Sequence, residues 1–176
     1  NMTSSPYGNR EVRALVNFDY VNQDASPYNR AVWVNWIDSI LTKPAVPIAD
    51  LQPSVEYGDD AVEIVRDWVT IAEDGYLTLR FRTLWGLRGR PHSVNLATGV
   101  NPDDAYEVEF FHDANGDTPT HYGDAIVAFR LDGLPDTDGK TVKLKLKWKS
   151  FSGYRWAEFD YCTGDATIAP NSDMLK

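Results

Sequence analysis

Cysteine is almost absent from this 176-residue chain, which has one, Cys162. A single thiol forms no internal disulfide, so a stapled scaffold is excluded and the redox compartment is unmarked. With Phe159 and Tyr161 nearby and no His or basic residue adjacent in sequence, it reads as a small apolar core residue rather than a reactive thiol. Basic residues are also scarce: 17 Lys and Arg stand against 26 Asp and Glu, a formal net charge of −9. That field opposes nucleic acid, whose affinity rests on phosphate neutralisation, and opposes anionic lipid for the same reason. No apolar run approaches the roughly 20 residues that cross a bilayer. A secretory leader is missing too. The polar start, Asn1 to Pro6, reads as a chain whose natural N-terminus has been removed.

The motifs of common chemistries are missing as well. There is no GxSxG elbow, no Ser-His-Asp set and no phosphate-binding glycine loop. The three histidines, His92, His112 and His121, show no HxxxH spacing and have no CxxC beside them, so zinc is not indicated. They read as surface residues, with a two-His site conceivable only if positions 112 and 121 face each other across a hairpin. Glu107 and Glu109 alternate with Val108 and Phe110 and read as one solvent face. Glycosidase chemistry would need two carboxylates at a defined separation in a cleft. No catalytic residue and no cofactor are expected.

What the sequence does have is aromatic residues, 12% of the chain with six Trp and nine Tyr, and alternation of apolar with polar positions. Val12, Ala14, Val16, Phe18 and Tyr20 share one face of a first strand. Around 31–37 both faces are apolar, which predicts a buried second strand. Asp38 to Thr42 suggests a short helical turn, and residues 43–61, proline-rich and unpatterned, suggest a boundary. A third segment covers 62–71. Glu73-Asp74-Gly75 makes a hairpin into a strand whose Leu77, Leu79 and Phe81 point inward. Short strands follow at 93–97 and 106–112. Asn115-Gly116 signals a tight hairpin returning through Ala125, Val127, Phe129 and Leu131. Val142, Leu144, Leu146 and Trp148 alternate with four lysines, and the last strand covers 155–161, before a polar tail. The pattern predicts an all-β protein: a small β-unit at 1–61 whose two clear strands are too few to stand alone, so that it is either truncated or borrows pairing from the second unit, then an antiparallel β-sandwich at 62–176.

Three constellations are candidate sites. Trp85, Arg88 and Arg90 lie in a Gly- and Arg-rich loop, and Tyr154, Arg155 and Trp156 follow a turn; loop aromatics beside arginines suit a ligand surface such as a sugar platform. The alternative is that these rings cap the ends of the core. Asp113, Asn115 and Asp117 alternate, with Asp124 where a twelfth calcium ligand would stand. Against calcium, the sixth and seventh positions are Thr118 and Pro119, and the Asn-Gly turn explains the same residues. The row Lys143, Lys145, Lys147, Lys149 makes a basic stripe, but no aromatic is evident on its face for base stacking, so it reads as a solvated, edge-protecting strand face.

An ordered set of segments carries a family resemblance: 13–18 (Arg-Ala-Leu-Val-Asn-Phe), 34–43 (Val-Asn-Trp-Ile-Asp-Ser-Ile-Leu-Thr-Lys), 74–81 (Asp-Gly-Tyr-Leu-Thr-Leu-Arg-Phe), 112–117 (His-Asp-Ala-Asn-Gly-Asp) and 147–151 (Lys-Trp-Lys-Ser-Phe). Together they span most of residues 11–161, and the chain resembles the NigD-like proteins of gut and oral bacteria. The resemblance implies an N-terminal OB-type domain, a C-terminal β-sandwich and a lipid-anchored place in the cell envelope through a cysteine upstream of this chain. It supplies no catalytic residues. The function expected is therefore a non-enzymatic binding or interaction module with a protein or glycan partner. A bacteriocin-immunity-type or structural protein recognising a protein partner is the alternative, and a carbohydrate-binding protein or a glycan-processing enzyme more distant ones.

Overall fold

In the computed structural model, described for residues 6–9, 12–22, 29–48, 57–87 and 89–163, the chain is built from strands. They are β1 (Ala14–Val21), β2 (Ala31–Ser39), β3 (Leu41–Pro44), β4 (Val46–Pro47), β5 (Glu63–Ile64), β6 (Ile71–Glu73), β7 (Tyr76–Trp85), β8 (Ser93–Thr98), β9 (Glu107–Asp113), β10 (His121–Arg130), β11 (Val142–Ser150) and β12 (Gly153–Tyr161). The all-β expectation holds. Two compact units divide between Thr42 and Lys43, within β3.

The first unit is an antiparallel pair, β1 with β2, whose register slips between Asn17 and Phe18. Its second strand was expected to be buried. Instead Trp33 and Trp36 are each 48% exposed, and no described residue of 6–42 is buried. Two strands have no opposing layer of their own to cover an apolar face. Polar links trim the surface: Asn35 donates to Asn17 Oδ1 and Asp19 Oδ2, both at 2.9 Å. The helical turn expected at 38–42 is absent, because β2 runs to Ser39 and β3 starts at Leu41.

The second unit is a sandwich of two five-stranded sheets, β3-β10-β7-β5 with β6 also on β7, and β12-β11-β9-β8-β4. Alternation drives it. Leu77 and Leu79 of β7 and Phe129 of β10 are fully buried, as are Leu96, Leu144 and Leu146 of the other sheet. Phe110 stands between Phe81, at 5.4 Å, and Phe129, at 6.0 Å, in one continuous core. At the β6–β7 turn, Asp74 (φ 51°) and Gly75 (φ 76°) take the left-handed conformation that a two-residue hairpin demands.

Four expectations are corrected by the pairing. Asn115 and Gly116 do turn with positive φ, yet they close no hairpin: β9 belongs to one sheet and β10 to the other, so the turn carries the chain across the sandwich. Because β10 crosses over, β11 returns alongside β9 in parallel, and β4 pairs with β8 in parallel as well. The sandwich is therefore mixed rather than wholly antiparallel. The segment expected as one strand at 62–71 is two short strands, β5 and β6, separated by a turn. The domain boundary was set at 61/62, but residues 43–47 are already paired: Ala45 N–H donates to Arg130 O, and Val46 lies opposite Ala97. Residues 49–56 and the polar tail beyond 163 lie outside the described residues.

Candidate functional site

A two-residue loop, Phe151-Ser152, joins β11 to β12 and fixes their register: Ser150 faces Gly153, Lys149 faces Tyr154, and Lys147 faces Trp156. With a side-chain period of two, Tyr154, Trp156, Glu158 and Asp160 must share the outer face with the four lysines. The lysine row thus does have aromatics on its face, contrary to the sequence reading, because the neighbouring strand supplies them. Trp156 is 57% exposed and Tyr154 48%. The Lys147 ammonium lies 4.5 Å from the Tyr154 ring centroid and donates to Glu109 Oε2 at 3.1 Å.

The basic character of the row is cancelled. Lys143 pairs with Asp160 at 2.6 Å, Lys145 with Asp104 at 2.7 Å, Lys147 with Glu109 and Lys149 with Asp59. Hydrogen bonds to those carboxylates hold Lys143, Lys145 and Lys149 above the usual ammonium range, and Lys145 in turn pulls Asp104 below the usual carboxylate range. Glu109, expected on a solvent face, is buried. What remains is two exposed rings among paired charges.

Of the candidate ligand residues, only Tyr154 and Trp156 meet here, and they sit on a strand rather than in a turn. Arg155 alternates away from them; its guanidinium braces the hairpin by donating to Ser152 Oγ at 2.9 Å and Ser150 Oγ at 3.3 Å. Trp85, at the end of β7, packs against the core. Its indole stacks on His92 with centroids 4.1 Å apart and planes 13° apart, and its Nε1–H donates to Gly123 O at 2.9 Å. A Cβ at Gly123 would stand 2.7 Å from Trp85 Cδ1, which shows how closely the ring is held. Trp85 is a core cap. Arg90 donates to Asn115 O at 2.6 Å, and Arg88 lies outside the described residues.

The four residues considered for calcium do not converge. Asp113 Oδ1 accepts the Asn115 N–H at 2.6 Å, and the Asn115 amide donates to Pro91 O at 2.8 Å. Asp117 accepts the Gly86 N–H at 2.6 Å. That bond, with help from His92, keeps its carboxyl below the ordinary range. On β10, Asp124 faces Arg82 across the ladder and binds both Arg82 and Arg80 at 2.6 Å. These bonds, led by Arg82, lower its carboxyl; Asp124 raises the Arg82 guanidinium, and Asp67, bonded at 2.7 Å, raises that of Arg80 with Asp124 second. Among the described residues no group of three or more His, Cys, Asp or Glu is arranged to hold a metal ion.

The sequence reading missed a histidine pair, and paired the wrong two positions. His92 Nδ1 lies 2.9 Å from His112 Nε2, His92 Nε2 lies 3.3 Å from Asp117 Oδ2, and His112 Nδ1 lies 3.4 Å from Asp60 O. His121 is exposed on β10. The His92 and His112 rings are almost wholly enclosed. Burial, then the neighbouring His92, pushes His112 below the usual imidazole range. The chain Asp117–His92–His112 can share a proton, yet among the described residues neither ring bonds a hydroxyl or a thiol. It ties His92 to His112 of β9 and to Asp117 of the following loop.

Comparison with known families matches the NigD-like N-terminal OB domain to residues 1–40 and the NigD-like C-terminal β-sandwich domain to residues 45–161. The chain belongs to the NigD-like family. Among solved structures, this NigD-like chain is similar to a protein from Parabacteroides distasonis described as toxin-related, at 34% identity and a TM-score of 0.76, with 92% of this chain and 80% of that one covered. It shares its fold with a Bacteroides vulgatus protein of unknown function, at 18% identity and a TM-score of 0.72 over 94% and 79% of the two chains. It also shares it with a Bacteroides caccae protein described as a NigD-like immunity protein, at 20% identity and a TM-score of 0.65 over 90% and 80%. No curated protein matches the chain.

Proposed function

We propose that this NigD-like chain is a non-enzymatic binding module of the bacterial cell envelope, and that it engages its partner through the outer face of β11 and β12. The observation that carries this reading is the pair of half-exposed rings, Tyr154 and Trp156, aligned on one strand above a charge-paired lysine row. Strands hold side chains in fixed spacing, so such a face is preorganised and loses little entropy on binding. Placement at the envelope, through a lipid anchor on residues outside this chain, rests on the family resemblance.

A second reading is immunity-type recognition of one protein partner. The names given to the Bacteroides caccae and Parabacteroides distasonis proteins favour it, and Tyr122 packed edge-on against Phe151 at 5.9 Å, both exposed, offers an apolar anchor. The test is retention of the purified chain on immobilised Bacteroides envelope fraction. The double variant Tyr154→Ala, Trp156→Ala should lose retention while its melting temperature stays unchanged. Equal retention of variant and wild type would remove the β11–β12 face from the account, and loss only in a Tyr122→Ala, Phe151→Ala variant would move the contact to the second reading.

A further inference from the structure

Resting on the proposal that the β11–β12 face is the contact surface, we infer that its ligand is a neutral glycan. Three features point to that chemistry. First, Tyr154 and Trp156 are two positions apart on one strand, so their Cα atoms stand roughly 6.6 Å apart along it, and both side chains lie exposed on the outer face. A pyranose has an apolar C–H side that stacks on such a ring, and a row of exposed rings suits an extended sugar chain more than a globular side-chain anchor, which needs a pocket. Second, every lysine of the row is matched by a carboxylate, and Glu158 adds a further acid to the same face, so the face does not attract a polyanion. Third, the same pairing leaves donors and acceptors side by side around the rings. Lys147 with Glu109 borders Tyr154, and Lys149 with Asp59 lies opposite it. Hydroxyl groups both donate and accept, so an array of paired charges serves them where an array of one sign would not.

The alternation that produces this face also explains why it survives in water. Stacking of Lys147 on Tyr154 covers part of one ring, and the flanking charges stop the two aromatics from forming a contiguous apolar patch that would aggregate. A sugar can replace water over both rings without leaving any ammonium or carboxylate unpaired.

The experiment is native gel electrophoresis through gels containing hydroxyethylcellulose, soluble starch, yeast mannan or, as an acidic polysaccharide, polygalacturonate. The wild-type chain is expected to be retarded by at least one of the three neutral polymers and not by polygalacturonate. Trp156→Ala should weaken that retardation by at least about tenfold, the effect of losing one stacked ring, with melting temperature unchanged. Tyr154→Ala should weaken it less, because the Lys147 ammonium already lies over its ring. Retardation by none of the neutral polymers, by polygalacturonate alone, or unaffected by Trp156→Ala would each overturn the glycan assignment. If envelope retention still depends on Tyr154 and Trp156 while no polysaccharide retards the chain, the face is a binding surface for a protein and only this inference falls. If retention is independent of both residues, the broader reading falls with it.

Discussion

The two units of this chain are made from similar residues and end in different states. The β1–β2 pair has the apolar content of a core, with Val16, Phe18, Val32, Trp33 and Trp36, and leaves every one of them at least 41% exposed. The sandwich has an equally simple alternation and buries Leu77, Leu79, Leu96, Phe129, Leu144 and Leu146 to 0%. The difference is a second layer. An alternating strand contributes to stability only when another sheet covers its apolar side, and among the described residues the sandwich has two sheets where the first unit has one two-stranded ribbon. The lesson extends to the candidate site: Tyr154 and Trp156 are exposed because they lie on the outward phase of β12, while Ala157 and Tyr161 of the same strand are buried.

That contrast can be broken by experiment. The largest effect is expected in the sandwich core, where Phe129→Ala should cost about 3–5 kcal/mol in urea unfolding, by lost transfer and cavity formation. Trp36→Ala in the first unit should change the same transition by less than about 1 kcal/mol. Comparable losses would mean that the ribbon is covered after all. Next, Gly123→Ala pushes a Cβ against the Trp85 indole and should destabilise the sandwich by about 1–3 kcal/mol through overpacking. A neutral result would free Trp85 from its role as a core cap and restore it as a candidate platform.

A smaller effect should appear with pH. His112 is held below the imidazole value of about 6.5 in the fold, so the unfolded chain binds a proton more readily. Its contribution is present above pH of about 6.5 and is lost as pH falls below that value towards the folded pKa. Two protonated rings 2.9 Å apart would also turn two donors towards each other. The melting temperature should fall between pH 7 and pH 5, and His112→Gln should flatten that slope. A slope unchanged by the substitution would assign the acid sensitivity to other groups. The smallest effect is expected from Lys143→Ala. Its partner Asp160 is 63% exposed, and solvent screens such pairs, so thermal melting should not move.

How far the sequence reached follows the same physics. Strands β7 and β11 are legible because alternation and burial agree at Leu77, Leu79, Leu144 and Leu146. The β6–β7 turn is legible because Asp74 and Gly75 are suited to positive φ. The partner of each strand is not legible where the connection is long. Asn115-Gly116 looks like a hairpin locally, and only tertiary pairing reveals that β9 and β10 lie in different sheets. The same long-range pairing brings His92 to His112, 20 positions away, which no spacing rule anticipates. The aromatic face, by contrast, could have been found. Counting across Phe151-Ser152 as a two-residue loop places Tyr154 opposite Lys149 and Trp156 opposite Lys147, and the period of two does the rest.

The central claim is that ligand meets the outer face of β11 and β12 and leaves the Trp85 end alone. Two-dimensional amide and indole NMR, recorded while a short oligosaccharide of the best-retarding neutral polymer is titrated in, tests it most directly. The account predicts shifts of the Trp156 indole and of amides in 145–158, with the Trp85 indole and amides of 86–92 unmoved. Shifts at Trp85 and 86–92 with Trp156 silent, or no shifts anywhere, would contradict it.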